Sequence, residues 1–314
     1  MEYDNFGPPE VLQIREVEQP VPGAHEVLVK VEAAGINPKD AFVRRGLFRA
    51  LTGREFPKRV GYDFAGIIFC VGEAVTSFKV NDRVFGSLND WSGGAHCELV
   101  CASEDECAIL PPGVSIEEGA AMPIAALTAL QSLRDLAAIK AGDSVCINGA
   151  SGGVGTFAIQ LARMFGARVI AVCSQRNRDF CKSLGADEVV DYEVAPPEQL
   201  DVIVDCFFDV YGNKSFETVR HLLTDKGNYI TTVPSKQIFL EMENTANSAS
   251  KAHLIKVKSN KSDLEYLAAQ LLAKEFSPII ECVYPIAAVV DAHRHIETKR
   301  TRGKLVLGFS YCPE

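Results

Sequence analysis

Ser144-Val145-Cys146-Ile147-Asn148-Gly149-Ala150-Ser151-Gly152-Gly153-Val154-Gly155, followed by Thr156-Phe157-Ala158-Ile159-Gln160-Leu161-Ala162, is the stretch that decides the fold. It reads as a strand, a glycine turn and a helix in that order, with Ala150, Gly152 and Gly155 at the three small positions of a dinucleotide fingerprint. Ala150 keeps the turn tight, Gly152 admits a pyrophosphate to the backbone, and Gly155 lets the helix close on the strand. Ser151, Gly153 and Val154 complete the expected cradle, and the pyrophosphate would rest on free N–H groups at the positive end of the helix. The bland alternative, a plain glycine loop, is countered by the strand and helix on either side.

Strand and helix go on alternating downstream, with strand 168–173, helix 178–184, strands near 189–190 and 202–205, helix 214–223 and strand 228–233. Such alternation predicts an α/β fold with a doubly wound parallel sheet. Upstream, β-branched runs at 26–33, 65–71, 83–86 and 96–101 are broken by Gly, Pro and Asn-Asp pairs, which predicts a β-rich, barrel-like domain. Past a segment at 253–258 and a helix at 264–274, residues 279–284, 287–298 and 305–309 read as strand, helix and strand returning to the first domain. Residues 244–250 read as a polar loop. The expected division is 1–117 with 265–314 for the β-rich domain and 118–264 for the dinucleotide domain.

Cofactor choice is read at the end of the second strand of such a domain, where an enzyme for NAD places a carboxylate on the ribose hydroxyls. This chain has Ser174-Gln175-Arg176-Asn177-Arg178 there. A hydroxyl and two guanidinium groups suit a 2′-phosphate through charge-assisted bonds and predict NADPH, with Ser174 and Arg176 as its contacts. The alternative is that both arginines are only a solvated helix start.

Composition narrows the function classes. Lys and Arg total 32 against 41 for Asp and Glu, a net charge of −9 that argues against nucleic acid as a partner. No run approaches the roughly 20 apolar residues of a membrane-spanning helix, and the first residues carry neither a basic start nor an apolar stretch, so a cytoplasmic address is expected. The ten cysteines are scattered singly, many within apolar runs, and are expected to be reduced and structural. No Cys with a positioned His stands out for nucleophilic chemistry.

Several further stretches carry a family resemblance: Phe6-Gly7-Pro8-Pro9, Ala34-Gly35-Ile36-Asn37-Pro38-Lys39-Asp40, Gly61-Tyr62-Asp63-Phe64-Ala65-Gly66, Val80-Asn81-Asp82-Arg83-Val84, Ala125-Ala126-Leu127-Thr128-Ala129 and Gly303-Lys304-Leu305-Val306. Together with the glycine turn they resemble, over nearly the whole chain, the zinc-independent quinone oxidoreductase branch of the medium-chain dehydrogenases and reductases. The resemblance implies a GroES-like catalytic domain, a Rossmann NADPH-binding domain and a homodimer. It implies Asn37 and Asp40 near the nicotinamide, with Asn37 donating to a substrate or ribose oxygen and Asp40 bracing the loop. Thr128 would lie beneath the nicotinamide and Tyr192 along the adenosine phosphate. Tyr62 is the candidate for a weak acid or an orienting hydroxyl, packing being its plainer alternative.

Zinc-containing relatives place Cys and His where this chain has Asn37 and Tyr62, and Cys97, Cys101 and Cys107 fall short of a four-cysteine lobe. His96 and Cys97, read as neighbours on a strand, would point to opposite faces. No metal is therefore expected, and simple alcohol oxidation, which wants a Lewis acid, is disfavoured. Hydride transfer to a quinone, or to the activated C=C of an enone or alkenal, remains. The alternative is a catalytically quiet NADPH-binding protein used for interaction or redox sensing. Two departures from the relatives matter: Phe42 stands where an aromatic hydroxyl is usual, and Phe207-Phe208 stands where small residues would border the nicotinamide ribose.

Overall fold

In Glu26–Ile36 the consecutive residues Val27, Leu28 and Val29 and the run Ala33 to Ile36 are buried, the pattern of a strand covered on both faces over most of its length, with Lys30 exposed. A computed structural model describes residues 1–309 of the chain, and the last part of the expected catalytic domain, 310–314, lies outside the described residues. In it Glu26–Ile36 is the central strand of a seven-stranded sheet. One edge pairs antiparallel with Asp63–Val71; the other is shared, Leu99–Ser103 covering its first half and Lys304–Gly308 its second. This β-rich sheet belongs to the first of two compact units, Met1–Leu127 with the chain from Lys258 on.

The second unit, Thr128–Val257, holds six parallel strands in the spatial order Glu188–Asp191, Arg168–Cys173, Ser144–Asn148, Val204–Asp209, Leu223–Thr231, Lys251–Leu254. Numbered along the chain this is 3-2-1-4-5-6, the order of a Rossmann sheet, whose switch point lies beside the strand that feeds the glycine turn. The α/β class, with a β-rich unit and a parallel sheet in Rossmann order, is the observed architecture.

Four local readings are corrected. The strand expected at 202–205 is Val204–Asp209. Asp205 does not end it, because its carboxylate accepts the Ser144 N–H at 2.9 Å and the Thr224 hydroxyl at 3.2 Å. The helix expected at 214–223 is an α-helical turn, Phe216–Val219, continued by a 3-10 turn, Arg220–Leu222, and the next strand already starts at Leu223. The polar loop at 244–250 begins inside a helix, Lys236–Thr245, whose N-cap Ser235 accepts the Ile238 N–H at 3.2 Å. His96 and Cys97 precede their strand, which runs Leu99–Ser103. The N–H groups of Gly94 and Ala95 bond to Gly61 O and that of His96 to Val60 O, so a turn holds this segment. The opposite-face argument therefore does not apply, and the His96 ring is buried with Nε2 3.2 Å from Gly35 O.

Candidate active site

Strand register brings the first cluster together. Gly35 is paired with Asp63 and Ile36 with Leu305, so Asn37, Asp63 and Lys304 meet where three strands end and the helix Pro38–Arg44 begins. All three are buried. Asn37 Nδ2 donates to Asp63 Oδ2 at 2.8 Å, and the Lys304 ammonium donates to Asn37 Oδ1 and, at 3.1 Å, to Ile36 O. Lys304 Nζ lies 3.7 Å from Asp63 Oδ2. Asp40, at the third helical position, reaches back to the Asn37 N–H at 2.7 Å and closes the helix start.

Asp40 and Asp63 are both fully buried and Lys304 is the one fully buried ammonium beside them, with Lys39 only half-buried, so one of the two carboxyls is favoured to hold a proton. Asp63 accepts from Asn37, from the Ile124 N–H at 3.0 Å and from Ser87, besides facing Lys304, so it is the better site for the charge. Among the described residues Asp40 accepts the Asn37 N–H alone, and its Oδ1 has no hydrogen-bond partner. Burial, with Asp63 nearby, pushes the Asp40 carboxyl up to about 7. Burial likewise pushes Lys304 down, against the pull of Asp63 and Asp40.

Tyr62, on the turn before Asp63, donates its hydroxyl to Trp91 O at 2.9 Å. Burial pushes its phenol above the ordinary tyrosine value, and its proton is already committed, so the orienting role suits it better than the acid one. Lys39 lies over its ring, Nζ 3.5 Å from the Tyr62 centroid and 4.5 Å from that of Trp91.

In the Thr128–Val257 unit the glycine turn has the expected geometry. Gly149 adopts φ +87° as the chain leaves its strand, and its N–H and that of Ala150 bond back to Val172 O. A Cβ on Gly155 would stand 2.3 Å from Gly149 O, so only glycine lets the helix Gly153–Met164 approach the strand this closely. A Cβ on Gly152 would meet nothing nearer than Gly149 O at 3.6 Å, which leaves open space over the helix start. Ser151, Gly153 and Val154 line the same turn, half-buried.

Asn177 ties that turn to the end of the second strand, its Nδ2 lying 2.9 Å from Ser151 Oγ and 3.5 Å from Ser174 Oγ. Arg176 and Tyr192 are exposed, and Thr128 is buried. Phe207 and Phe208 are fully buried in the sheet, Phe207 stacked 6.3 Å from Tyr229. Asp209 closes the strand end, accepting from Asn148 Nδ2 at 2.7 Å and from the Lys214 N–H at 2.8 Å.

Sequence reasoning brought Asn37, Asp40 and Tyr62 to one cluster and Ala150, Ser151, Gly152, Gly153, Val154, Gly155 and Ser174 to one turn. It passed over Lys39, Trp91, Lys304 and Asn177. The sequence carries a signal for Lys304, since a lysine opening an apolar strand is buried only with a partner.

Comparison with known proteins agrees with the fold. Residues 23–200 match the profile of the alcohol dehydrogenase GroES-like domain, and residues 184–307 that of the zinc-binding dehydrogenases. A chloroplastic quinone-oxidoreductase homolog of Spinacia oleracea is 34% identical over 98% of this chain and 97% of its own. The solved quinone oxidoreductase of Coxiella burnetii is 31% identical, with a TM-score of 0.91 over 98% of both chains. A mycobacterial protein solved in complex with NADPH is 26% identical, with a TM-score of 0.82 over 98% of both chains. With the Rossmann strand order, the GroES-like sheet and these relatives together, the chain belongs to the medium-chain dehydrogenase/reductase superfamily, among the homologues of quinone oxidoreductase.

Proposed function

We propose that the chain is an NADPH-dependent oxidoreductase that delivers hydride, without zinc, to a quinone or to the activated C=C of an enone or alkenal. The observation that carries this reading is the glycine turn with Ser151, Ser174 and Asn177 joined beside it and no carboxylate at the end of the second strand. Arg176, exposed next to Ser174, supplies the charge for a 2′-phosphate. The relatives named for quinone oxidoreduction and the NADPH complex of a similar protein support it. Residues 1–117 with 265–314 form the catalytic domain in this reading and 118–264 the cofactor domain, in a cytoplasmic homodimer.

The residues do not fit a zinc ion of the kind the second profile is named for. Asn37 and Tyr62 stand where its ligands would be, and Asn37 Oδ1 is already held by an ammonium. Among the described residues no three His, Cys, Asp or Glu side chains converge on one point.

When bound, NADPH supplies the hydride, and the protein's part is to hold and protonate. Ala150 to Gly155 cradle the pyrophosphate, Thr128 supports the nicotinamide, Tyr192 flanks the adenosine phosphate, and Asn37 keeps one Nδ2 hydrogen for a substrate oxygen. The test is a panel of quinones, enones and alkenals with NADPH and NADH. Turnover is expected with NADPH, unaffected by prolonged chelation, and Arg176→Ala should weaken NADPH binding about 10-fold while sparing NADH, as loss of one contact of about 1.4 kcal/mol does. Tight NADPH binding with no turnover of any acceptor would instead support the quiet binding protein, and zinc-restored activity after chelation would overturn the zinc-free reading.

A further inference from the structure

Lys39 is set apart from the other lysines of the first unit. Its ammonium sits against the faces of Tyr62 and Trp91, at 3.5 and 4.5 Å from the ring centroids, and among the described residues neither an ion pair nor a hydrogen bond engages it. Aromatic faces attract a cation through their quadrupole but take up little of its hydrogen-bonding capacity, so N–H donors remain for a further partner. The setting is half-buried, hence reachable. The Tyr62 hydroxyl, bonded to Trp91 O, locks the two rings together. Phe48 packs 5.1 Å from Trp91 and Phe42 6.4 Å from Phe48, which extends the pair into a row of aromatic rings.

A flat acceptor with a carbonyl oxygen suits a half-buried ammonium beside half-buried aromatic rings: its ring or conjugated system would lie against Trp91 and Phe48 and its oxygen would meet the ammonium. We propose that Lys39 is a catalytic residue of this enzyme, binding the acceptor oxygen and giving it the proton that follows hydride addition. This rests on the oxidoreductase reading above and names the proton donor that Phe42, lacking a hydroxyl, does not provide. When hydride adds to the β-carbon of an enone, the C=C pair shifts and the carbonyl π pair moves onto oxygen. Lys39 gives one N–H proton to that oxygen, keeps the bonding pair as a neutral amine and recovers a proton from solvent. The resulting enol tautomerises, taking a proton from solvent at the α-carbon and releasing the one on oxygen, so the sum consumes the enone, NADPH and one proton and yields the saturated carbonyl compound and NADP⁺. For a quinone the same step protonates the hydroquinone anion.

The groups facing Lys39 are Asp40 on its own helix, Asp63 on the adjoining strand, Asp90 on the following loop and the Tyr62 ring. Burial lowers the Lys39 ammonium from the ordinary lysine value while the three carboxylates pull it back up. The net direction favours release of a proton to an enolate.

The first test needs no cofactor. 4-Nitrophenolate, a flat anion with its charge on oxygen, is titrated calorimetrically into the cofactor-free protein, with emission of Trp91, the single tryptophan, as a second signal. Saturable binding is expected, weakened at least 10-fold in Lys39→Met and kept within about 3-fold in Lys39→Arg, with the folded far-ultraviolet spectrum retained in both. No binding to the wild-type protein, or equal binding by Lys39→Met, overturns the site. The second test is turnover: Lys39→Met should lower kcat/KM at least 10-fold and remove the alkaline limb of the pH profile, which Lys39→Arg moves upward. Turnover by Lys39→Met at the wild-type rate and profile overturns the proton donor. Phenolate binding through Lys39 with no turnover by the wild-type protein overturns the oxidoreductase reading instead.

Discussion

Gly152 and Gly155 are separated by two residues and differ in what confines them. Gly155 is fixed by the fold, since a Cβ there meets Gly149 O at 2.3 Å, whereas Gly152 opens onto free space. Gly155→Val should therefore destabilise the protein by about 2 kcal/mol or more, read as a lower urea midpoint. Gly152→Val should keep the wild-type midpoint and lose NADPH binding, because the branched side chain occupies the approach to the backbone. A Gly152→Val protein that retains NADPH affinity would return the turn to a structural role. The glycine turn was legible because each of its residues is small for a local reason. The Asn37, Asp63 and Lys304 cluster was legible only in part, since their meeting depends on register between strands far apart in the chain.

Among the elements, those read correctly are those whose own residues decide them. The strands Ser144–Asn148 and Arg168–Cys173 are short apolar runs with clear punctuation. Val204–Asp209 was misplaced because Asp205 looks like an end until its carboxylate is seen bonded across to Ser144 and Thr224. The helix Pro38–Arg44 begins from a buried polar cluster, so its start and the ion pair behind it stand together. Lys304→Met would leave Asp63 buried without its cation and should destabilise by about 3–5 kcal/mol, measured by denaturant unfolding. Adding Asp63→Asn to that variant should recover part of the loss, and a double-mutant cycle showing no coupling would mean that the pair is not an interacting unit.

For the whole molecule, the excess buried carboxylate makes stability depend on pH. The Asp40 pKa is raised from 3.8 in the unfolded chain to about 7 in the folded one, so the fold binds that proton more tightly. The stabilisation is full below pH about 4 and is lost as pH rises through about 7. Asp40→Asn should flatten the unfolding midpoint over that window, and an unchanged slope would assign the proton elsewhere. The shared edge of Glu26–Ile36 has a consequence for biosynthesis. Its second half is covered only by Lys304–Gly308, and the central unit, Thr128–Val257, lies between them in the chain. On the ribosome, residues 33–36 therefore wait as an open edge, and Asp63 without its lysine, while the whole dinucleotide unit emerges. The nucleotide sheet can be complete in the nascent chain before the Asn37, Asp63 and Lys304 cluster exists, so the half-made protein carries a finished sheet and an unpaired strand edge in one chain, a window in which chaperone capture is most valuable.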